Sequence, residues 1–251
     1  MSEKKLLCKL QHPFLVNINY AFQDRENLYL VSDLLTGGDL RYHIGKRRRF
    51  NEPETKFMMA CMILGLEYMH NQGVLHRDIK PENIVMESNG YVRITDMGIA
   101  KILRPENSQD TSGTPGYMAP EVMCRQNHSY AVDYFALGVI GYEFMLGRRP
   151  YVGRCRKEIR DMMFSKQVQI KRSDLPEGWS IEAADFINKV GHFEIKLYFF
   201  LSKVSIKETR ESPRPQRAYW SQGAHLVQKL QLVGSPWEEN WSALQTCSKR
   251  R

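Results

Sequence analysis

Three short blocks of residues in this chain have the types and spacing that phosphoryl transfer requires. In order, the blocks are His76-Arg77-Asp78-Ile79-Lys80-Pro81-Glu82-Asn83, Asp96-Met97-Gly98 and Gly113-Thr114-Pro115 with Ala119-Pro120-Glu121. Phosphoryl transfer needs a carboxylate near the attacking hydroxyl, metal ligands under the phosphates and a cation on the transferring group. Asp78 would be the base that orients the hydroxyl, and Lys80 would stabilise the γ-phosphate. Asn83 and Asp96 supply hard oxygen ligands, which suit Mg²⁺ rather than zinc.

The segment between the first two blocks predicts a hairpin that would bring Asn83 and Asp96 together. Ile84–Met86 and Tyr91–Ile94 read as strands, and the intervening Asn89-Gly90 pair is typical of a tight type I′ turn. The sequence therefore predicts one site built from the loops at both ends of this hairpin.

The other elements follow from periodicity and from the residues at the ends of each segment. Alternating residues predict an antiparallel strand pair over 15–20 and 28–31. Asn51 with Glu54 predicts a capping box that starts a helix reaching to about His70. Three further helices are predicted at Val132–Leu146, ending at Gly147, at Lys157–Ser165, and at Ile181–Val190 with Ser180 as its cap.

Composition and charge argue against several classes of protein. The net charge is +8, but residues 191–251 hold ten Lys/Arg against five Asp/Glu, so nucleic-acid binding is not expected. The five cysteines form no CxxC pair, which argues against a disulfide framework or a zinc site. No apolar run predicts a signal peptide or a membrane span. We expect a cytoplasmic protein, with the nucleus as the alternative.

With these motifs in this order, the chain resembles the C-lobe of a serine/threonine protein kinase of the AGC group, the protein kinase A-like branch. Residues 33–43 are most similar to the YANK-type subfamily. The resemblance covers residues 3 to about 190 and implies an α+β fold: a mainly helical C-lobe with a remnant of the N-lobe sheet. The implied division is 1–36 as the N-lobe remnant, 37–190 as the C-lobe and 191–251 as a divergent basic tail.

The resemblance also implies ATP and Mg²⁺ as ligands. The hinge at Asp33 to Leu35 would read adenine through its backbone, and Asp39 would reach the ribose. The full set of implied nucleotide-binding residues is Asp33, Leu35, Asp39, Glu82, Asn83, Val85 and Asp96, of which Asn83 and Asp96 would bind the metal.

The implied partners are protein substrates. Asp39, Glu82 and Glu143 match acidic positions that receive basic residues in protein kinase A-like enzymes, which favours substrates with basic residues near the phosphorylated residue. No membrane partner is expected.

Asp110 stands where related kinases carry a phosphorylatable threonine. A fixed carboxylate there could pair with Arg77 without phosphorylation and keep the activation segment ordered. The alternative interpretation is an exposed loop aspartate.

Three parts of the kinase pattern are missing. No glycine-rich loop precedes Glu3, no third-strand lysine is present to pair with it, and no arginine motif that would pair with Glu121 follows Gly191. We therefore expect weak or no kinase activity from this chain. The alternatives are a non-catalytic, pseudokinase-like binding module and a non-functional fragment.

Overall fold

The computed structural model describes residues 10–107, 109–165 and 168–190. The predicted basic tail at 191–251 and the predicted role of Glu3 lie outside these residues. Within them, none of the helices is both long enough and apolar enough to cross a membrane.

The first two strands form the predicted antiparallel hairpin, but its start differs from the prediction. Strand β1 spans Ile18–Gln23 and pairs with β2, Leu28–Ser32. Leu15 was predicted to begin the first strand, but it lies before β1 and is fully buried. Its neighbour Val16 donates its backbone N–H to the carbonyl of Ile94, 2.8 Å away. The segment before β1 therefore packs on the following lobe, because Leu15 gains a buried position there.

Two helices follow the hinge, and each begins at a side-chain cap. Helix α1 spans Leu40–Arg47, and the Asp39 carboxylate accepts from the Tyr42 N–H. Helix α2 spans Glu52–Asn71 and begins with the predicted capping box. The Glu54 N–H donates to Asn51 Oδ1 at 2.8 Å, and the Asn51 N–H donates to Glu54 Oε2 at 3.1 Å. The local rule for helix starts is confirmed here.

Short strand pairs carry the loops of the candidate site. Strand β3, Val74–Leu75, pairs with β6, Lys101–Ile102, and β4, Ile84–Met86, pairs with β5, Val92–Ile94. The prediction of the β4–β5 hairpin is confirmed, but the prediction of a type I′ turn within it is wrong. Of the central pair only Gly90 has a positive φ, 91°, and the Gly90 N–H donates to the Glu87 carbonyl. A type I′ turn requires positive φ at both central residues, and Asn89 does not have it. The turn is longer instead, and its left-handed residue, Gly90, stands at the end.

Four more helices complete the described part: α3 (Pro120–Met123), α4 (Ala131–Leu146), α5 (Arg156–Ser165) and α6 (Ile181–Val190). Helix α4 is buried along nearly its whole length and packs against both α2 and α6. It ends at Gly147, whose φ of 72° is readily available to glycine. Helix α4 forms a hydrophobic core with α2 and the β4–β5 hairpin, and this core fixes the loops between these elements.

Candidate active site

Three hydrogen-bonded side chains surround Asp78 in the loop between β3 and β4. Lys80 Nζ lies 2.6 Å from Asp78 Oδ2, and the Thr114 hydroxyl donates to Asp78 Oδ1 at 2.6 Å. Lys80 also donates to Thr114 Oγ1 at 3.0 Å. Asn83 Nδ2 donates to Asp78 Oδ2 at 3.1 Å and to its carbonyl at 2.9 Å. The structure therefore brings together the predicted residues Asp78, Lys80 and Asn83.

The electrostatics of this group keep Asp78 ionised. Burial opposes the charge, but hydrogen bonds from Lys80 and Thr114 outweigh burial and hold the pKa of Asp78 below its usual range. A carboxylate accepts about four hydrogen bonds, and three side chains donate to this one. One acceptor position is left for a substrate hydroxyl.

The backbone of this loop is held by a buried carboxylate from α4. Asp133 Oδ2 accepts from the His76 N–H at 2.9 Å, and Oδ1 accepts from the Arg77 N–H at 2.8 Å. His70 Nε2, from α2, lies 2.8 Å from Asp133 Oδ2. Arg77 has a φ of 70°, which is uncommon for a residue with a side chain. The buried Asp133 thus stabilises an unfavourable backbone conformation directly before Asp78.

The two predicted metal ligands lie at one end of the β4–β5 hairpin. The Thr95 N–H donates to the Asn83 carbonyl at 2.9 Å, so Asp96 follows a residue that contacts Asn83. Asn83 Nδ2 is engaged with Asp78, which leaves the amide oxygen as a ligand. Asp96 is exposed, and one of its oxygens accepts from the Gly98 N–H at 3.1 Å. Two hard oxygen donors of this kind suit Mg²⁺, which normally takes few protein ligands.

No larger metal cluster is found: across the described ranges of the chain, no three His, Cys, Asp or Glu side chains are placed to hold a metal ion. A magnesium site here would therefore consist of these two residues together with phosphate and water oxygens.

The hinge residue Asp33 uses its carboxylate for structural contacts. Its Oδ2 accepts from Arg93 Nη1 at 2.7 Å and from the Asn17 N–H at 3.1 Å. Despite the opposing effect of burial, hydrogen bonds from Asn17 and Asn19 and the charge of Arg93 lower the pKa of Asp33. Nucleotide binding at Asp33 would thus be through the backbone, as predicted, and Leu35 lies half-buried two residues on.

Asp39 and Val85 face each other across an isolated antiparallel bridge between the hinge segment and β4. Asp39 Oδ1 caps α1, so its other oxygen is the one available for a ribose. Gly37 donates its N–H to the Met86 carbonyl at 3.0 Å, and a Cβ at Gly37 would lie 2.4 Å from that oxygen. This contact requires glycine and fixes the hinge segment against β4.

Sequence reasoning missed Arg41, which binds two of the predicted site residues. Arg41 Nε donates to Glu82 at 2.8 Å, and Nη1 donates to Glu143 at 2.7 Å. Arg41 also contacts the Tyr117 hydroxyl, which donates to Glu143 at 2.7 Å. One oxygen of the Glu82 carboxylate therefore pairs with Arg41. A basic residue two positions after Asp39 was the only signal in the sequence.

Asp110 pairs with Arg77, as the first of the two interpretations expected. Arg77 Nη1 lies 2.9 Å from Asp110 Oδ2, and Lys101 Nζ lies 2.7 Å from the same oxygen. Hydrogen bonds from Lys101 and then Arg77 lower the pKa of Asp110. The carboxylate therefore joins the loop before Asp78 to the activation segment.

Glu121 is buried, with 5% of its surface exposed. Among the residues that the structure describes, no hydrogen-bond partner reaches its Oε2. Burial raises the pKa of Glu121. This agrees with the expectation of a buried carboxyl that needs a partner from elsewhere.

Comparison with known proteins assigns this arrangement to a family. The family described as the protein kinase domain matches residues 1–197. The chain belongs to the protein kinase domain family. The expected α+β kinase fold is confirmed.

Three relatives of this kinase domain carry the names of protein kinases. It is 39% identical over 174 residues to a probable serine/threonine-protein kinase of Dictyostelium discoideum, covering 68% of the chain and 38% of the relative. It is 36% identical over 213 residues to human ribosomal protein S6 kinase alpha-1, covering 80% of the chain and 29% of the relative. It is 30% identical over 234 residues to a protein of Caenorhabditis briggsae named "cAMP-dependent protein kinase, catalytic subunit-like", covering 93% of the chain and 59% of the relative. The chain thus spans less than two thirds of the length of each of these relatives.

These relatives confirm the prediction of a serine/threonine kinase of the AGC group. The narrower YANK-type assignment, the division into three parts and the roles of the individual site residues stay predictions.

Proposed function

We propose that this kinase domain transfers the γ-phosphate of ATP to serine or threonine hydroxyls of protein substrates. The observation that carries the proposal is the group around Asp78, in which a lysine and an asparagine each lie within hydrogen-bond distance of one ionised carboxylate. These are the groups that position the acceptor and stabilise the transferring phosphate in phosphoryl transfer.

Each side chain has a definite task in this proposal. The substrate hydroxyl donates to Asp78, its oxygen attacks the γ-phosphorus, and the bond from phosphorus to the bridging oxygen of ADP breaks. The proton passes to Asp78. Lys80 holds a terminal phosphate oxygen by its charge, while Thr114 and Asn83 keep the Asp78 carboxylate oriented. Mg²⁺ held by Asn83 and Asp96 would neutralise phosphate charge.

We propose that ATP binds between the hinge and the β4–β5 hairpin. The support for this is the backbone bridge between Asp39 and Val85 and the close contact of Gly37 with Met86, which set the hinge segment beside β4. Basic residues in the substrate stay a prediction. That prediction requires carboxylates that are free to accept hydrogen bonds from a basic side chain of the substrate. Two of its three residues, Glu82 and Glu143, bind Arg41 instead.

Transfer of labelled γ-phosphate from ATP·Mg²⁺ to serine and threonine peptides tests the proposal. We expect a low rate that Asp78→Asn reduces by about a hundredfold or more. The control is Asp185→Asn, which changes an exposed aspartate on α6 and should leave the rate unchanged. A rate in the Asp78→Asn protein equal to that of the unmodified chain would contradict the proposal, provided both proteins show the same thermal unfolding.

A further inference from the structure

Arg41 is fully engaged in a cluster with Glu82, Glu143 and Tyr117. All three of its guanidinium nitrogens donate: Nε to Glu82, Nη1 to Glu143, and Nη2 to Glu143 at 3.3 Å and to the Tyr117 hydroxyl. The Glu143 side chain is 5% exposed, whereas that of Glu82 is 43% exposed. Burial disfavours the charge of Arg41, but hydrogen bonds to Glu143 and Glu82 outweigh burial and raise its pKa. The guanidinium therefore stays charged within the cluster.

The cluster lies beside the group around Asp78. Glu82 follows Lys80 by two residues in the same loop, within the 3₁₀ turn Pro81–Asn83. From the other side, the Tyr117 N–H donates to the Thr114 carbonyl at 3.1 Å, and Thr114 in turn donates to Asp78. A protein segment that places its hydroxyl at Asp78 would therefore have neighbouring residues close to this cluster.

The contacts within the cluster leave little of its two carboxylates for a basic substrate side chain to bind. Glu143 is buried, and both of its carboxylate oxygens already accept hydrogen bonds from Arg41 and Tyr117. Of the two carboxylates only that of Glu82 is substantially exposed, and one of its oxygens already pairs with Arg41. A second positive charge stands nearby, because the Arg149 guanidinium lies 5.9 Å from the centre of the Tyr117 ring.

We propose that Arg41 occupies the position in which a basic side chain of a substrate would otherwise bind, so that the kinase domain does not select arginine at that point. The inference rests on the proposed function, because it takes the surface beside Asp78 as the place where protein substrates bind. It assigns Arg41 a role in specificity: the chain supplies internally the guanidinium that two acidic residues would otherwise take from the substrate.

Peptide binding to the full chain tests this inference without depending on catalysis. The probes are fluorescent serine peptides with one arginine moved through the positions before the serine, and the same peptides with alanine instead. We expect the unmodified chain to bind both sets alike. Arg41→Ala should prefer arginine at one position by about tenfold, because Glu82 and Glu143 become free to bind it. The double variant Arg41→Ala with Glu82→Gln should lose most of this preference.

Arg47→Ala is the matched control, since Arg47 lies on the same helix and pairs with Glu54, in the capping box of α2. It should not alter the arginine preference. If Arg41→Ala does not fold, Arg41→Gln, which keeps a donor to Glu143, replaces it and should gain a smaller preference. The inference is overturned if the unmodified chain already prefers arginine at that position, if a folded Arg41 variant gains no preference, or if neither protein binds any peptide. Phosphate transfer that depends on Asp78 would then still support the proposed function.

Discussion

Arg77 and Asp110 form an ion pair in which Nη1 lies 2.9 Å from Oδ2, and the Arg77 side chain is only 5% exposed. Because the guanidinium is buried, loss of Asp110 would leave its charge with less compensation. Lys101 binds the same carboxylate oxygen, so three separate parts of the chain meet at Asp110.

Asp110→Ala should loosen the activation segment. We expect backbone amides in residues 109–118 to exchange about tenfold faster, since the segment loses its connection to Arg77 and Lys101. Hydrogen exchange measured by mass spectrometry checks this. The control is Asp161→Ala, whose carboxylate pairs with the adjacent Arg160 on the exposed side of α5. Unchanged exchange in the Asp110 variant would favour the interpretation of a simple loop aspartate.

Thr114→Val should raise the pKa of Asp78. The Thr114 hydroxyl stabilises the ionised carboxylate, and removing it makes protonation easier. The acid side of the pH–rate profile should therefore move to higher pH, because protonated Asp78 cannot accept the substrate proton. Carbon-detected NMR titration of the Asp78 carboxyl measures the same shift without activity. Thr111→Val, in the same segment, serves as the control and should leave the titration unchanged; an equal shift there would argue against a specific role of Thr114.

Glu121→Gln should stabilise the protein near neutral pH. Burial raises the pKa of Glu121 in the folded state, so its contribution to stability is present below the unfolded pKa, about 4.3, and is lost as pH rises through the folded pKa. A neutral side chain removes this loss, and we expect a gain of about 1–3 kcal/mol at pH 7 that disappears towards acidic pH. Urea unfolding across pH measures it.

Glu52→Gln is the matched control for Glu121, with the opposite expected sign. Glu52 is also buried, but its carboxylate binds Lys56 at 2.5 Å and the Ser180 hydroxyl at 2.9 Å. Despite the opposing effect of burial, these contacts lower the pKa of Glu52. Its replacement should therefore destabilise the protein near neutral pH. Stabilisation by both changes would show that the effect is not specific to an unpaired carboxyl.

The features that the sequence predicted well depend on nearby residues. The capping box of Asn51 and Glu54 spans three positions, and the β4–β5 hairpin that joins Asn83 to Asp96 is a local element as well. Both follow from rules about short segments. The turn type was wrong because the same Asn-Gly pair also suits a longer turn that needs only one left-handed residue.

What could not be predicted involves residues that are distant in the chain. Arg41 and Glu143 are 102 positions apart, and Val16 and Ile94, which also meet, are far apart in the chain as well. Neither contact has a local pattern, because each depends on how α1, α4 and β5 pack in three dimensions. The predicted preference for basic substrates was drawn from Asp39, Glu82 and Glu143, and the internal partner of the last two, Arg41, could be seen only in the folded chain.

The left-handed backbone at Arg77 and at Asp96, with φ values of 70° and 60°, has a consequence for how the domain could change over time. Both residues lie next to the group around Asp78, and glycine at either position would relieve backbone strain. Arg77 offsets this strain through its buried pair with Asp110, whereas Asp96 is exposed. Selection for stability alone would therefore favour glycine at position 96, and continued presence of Asp96 in descendants of this gene would indicate that selection still acts on the site.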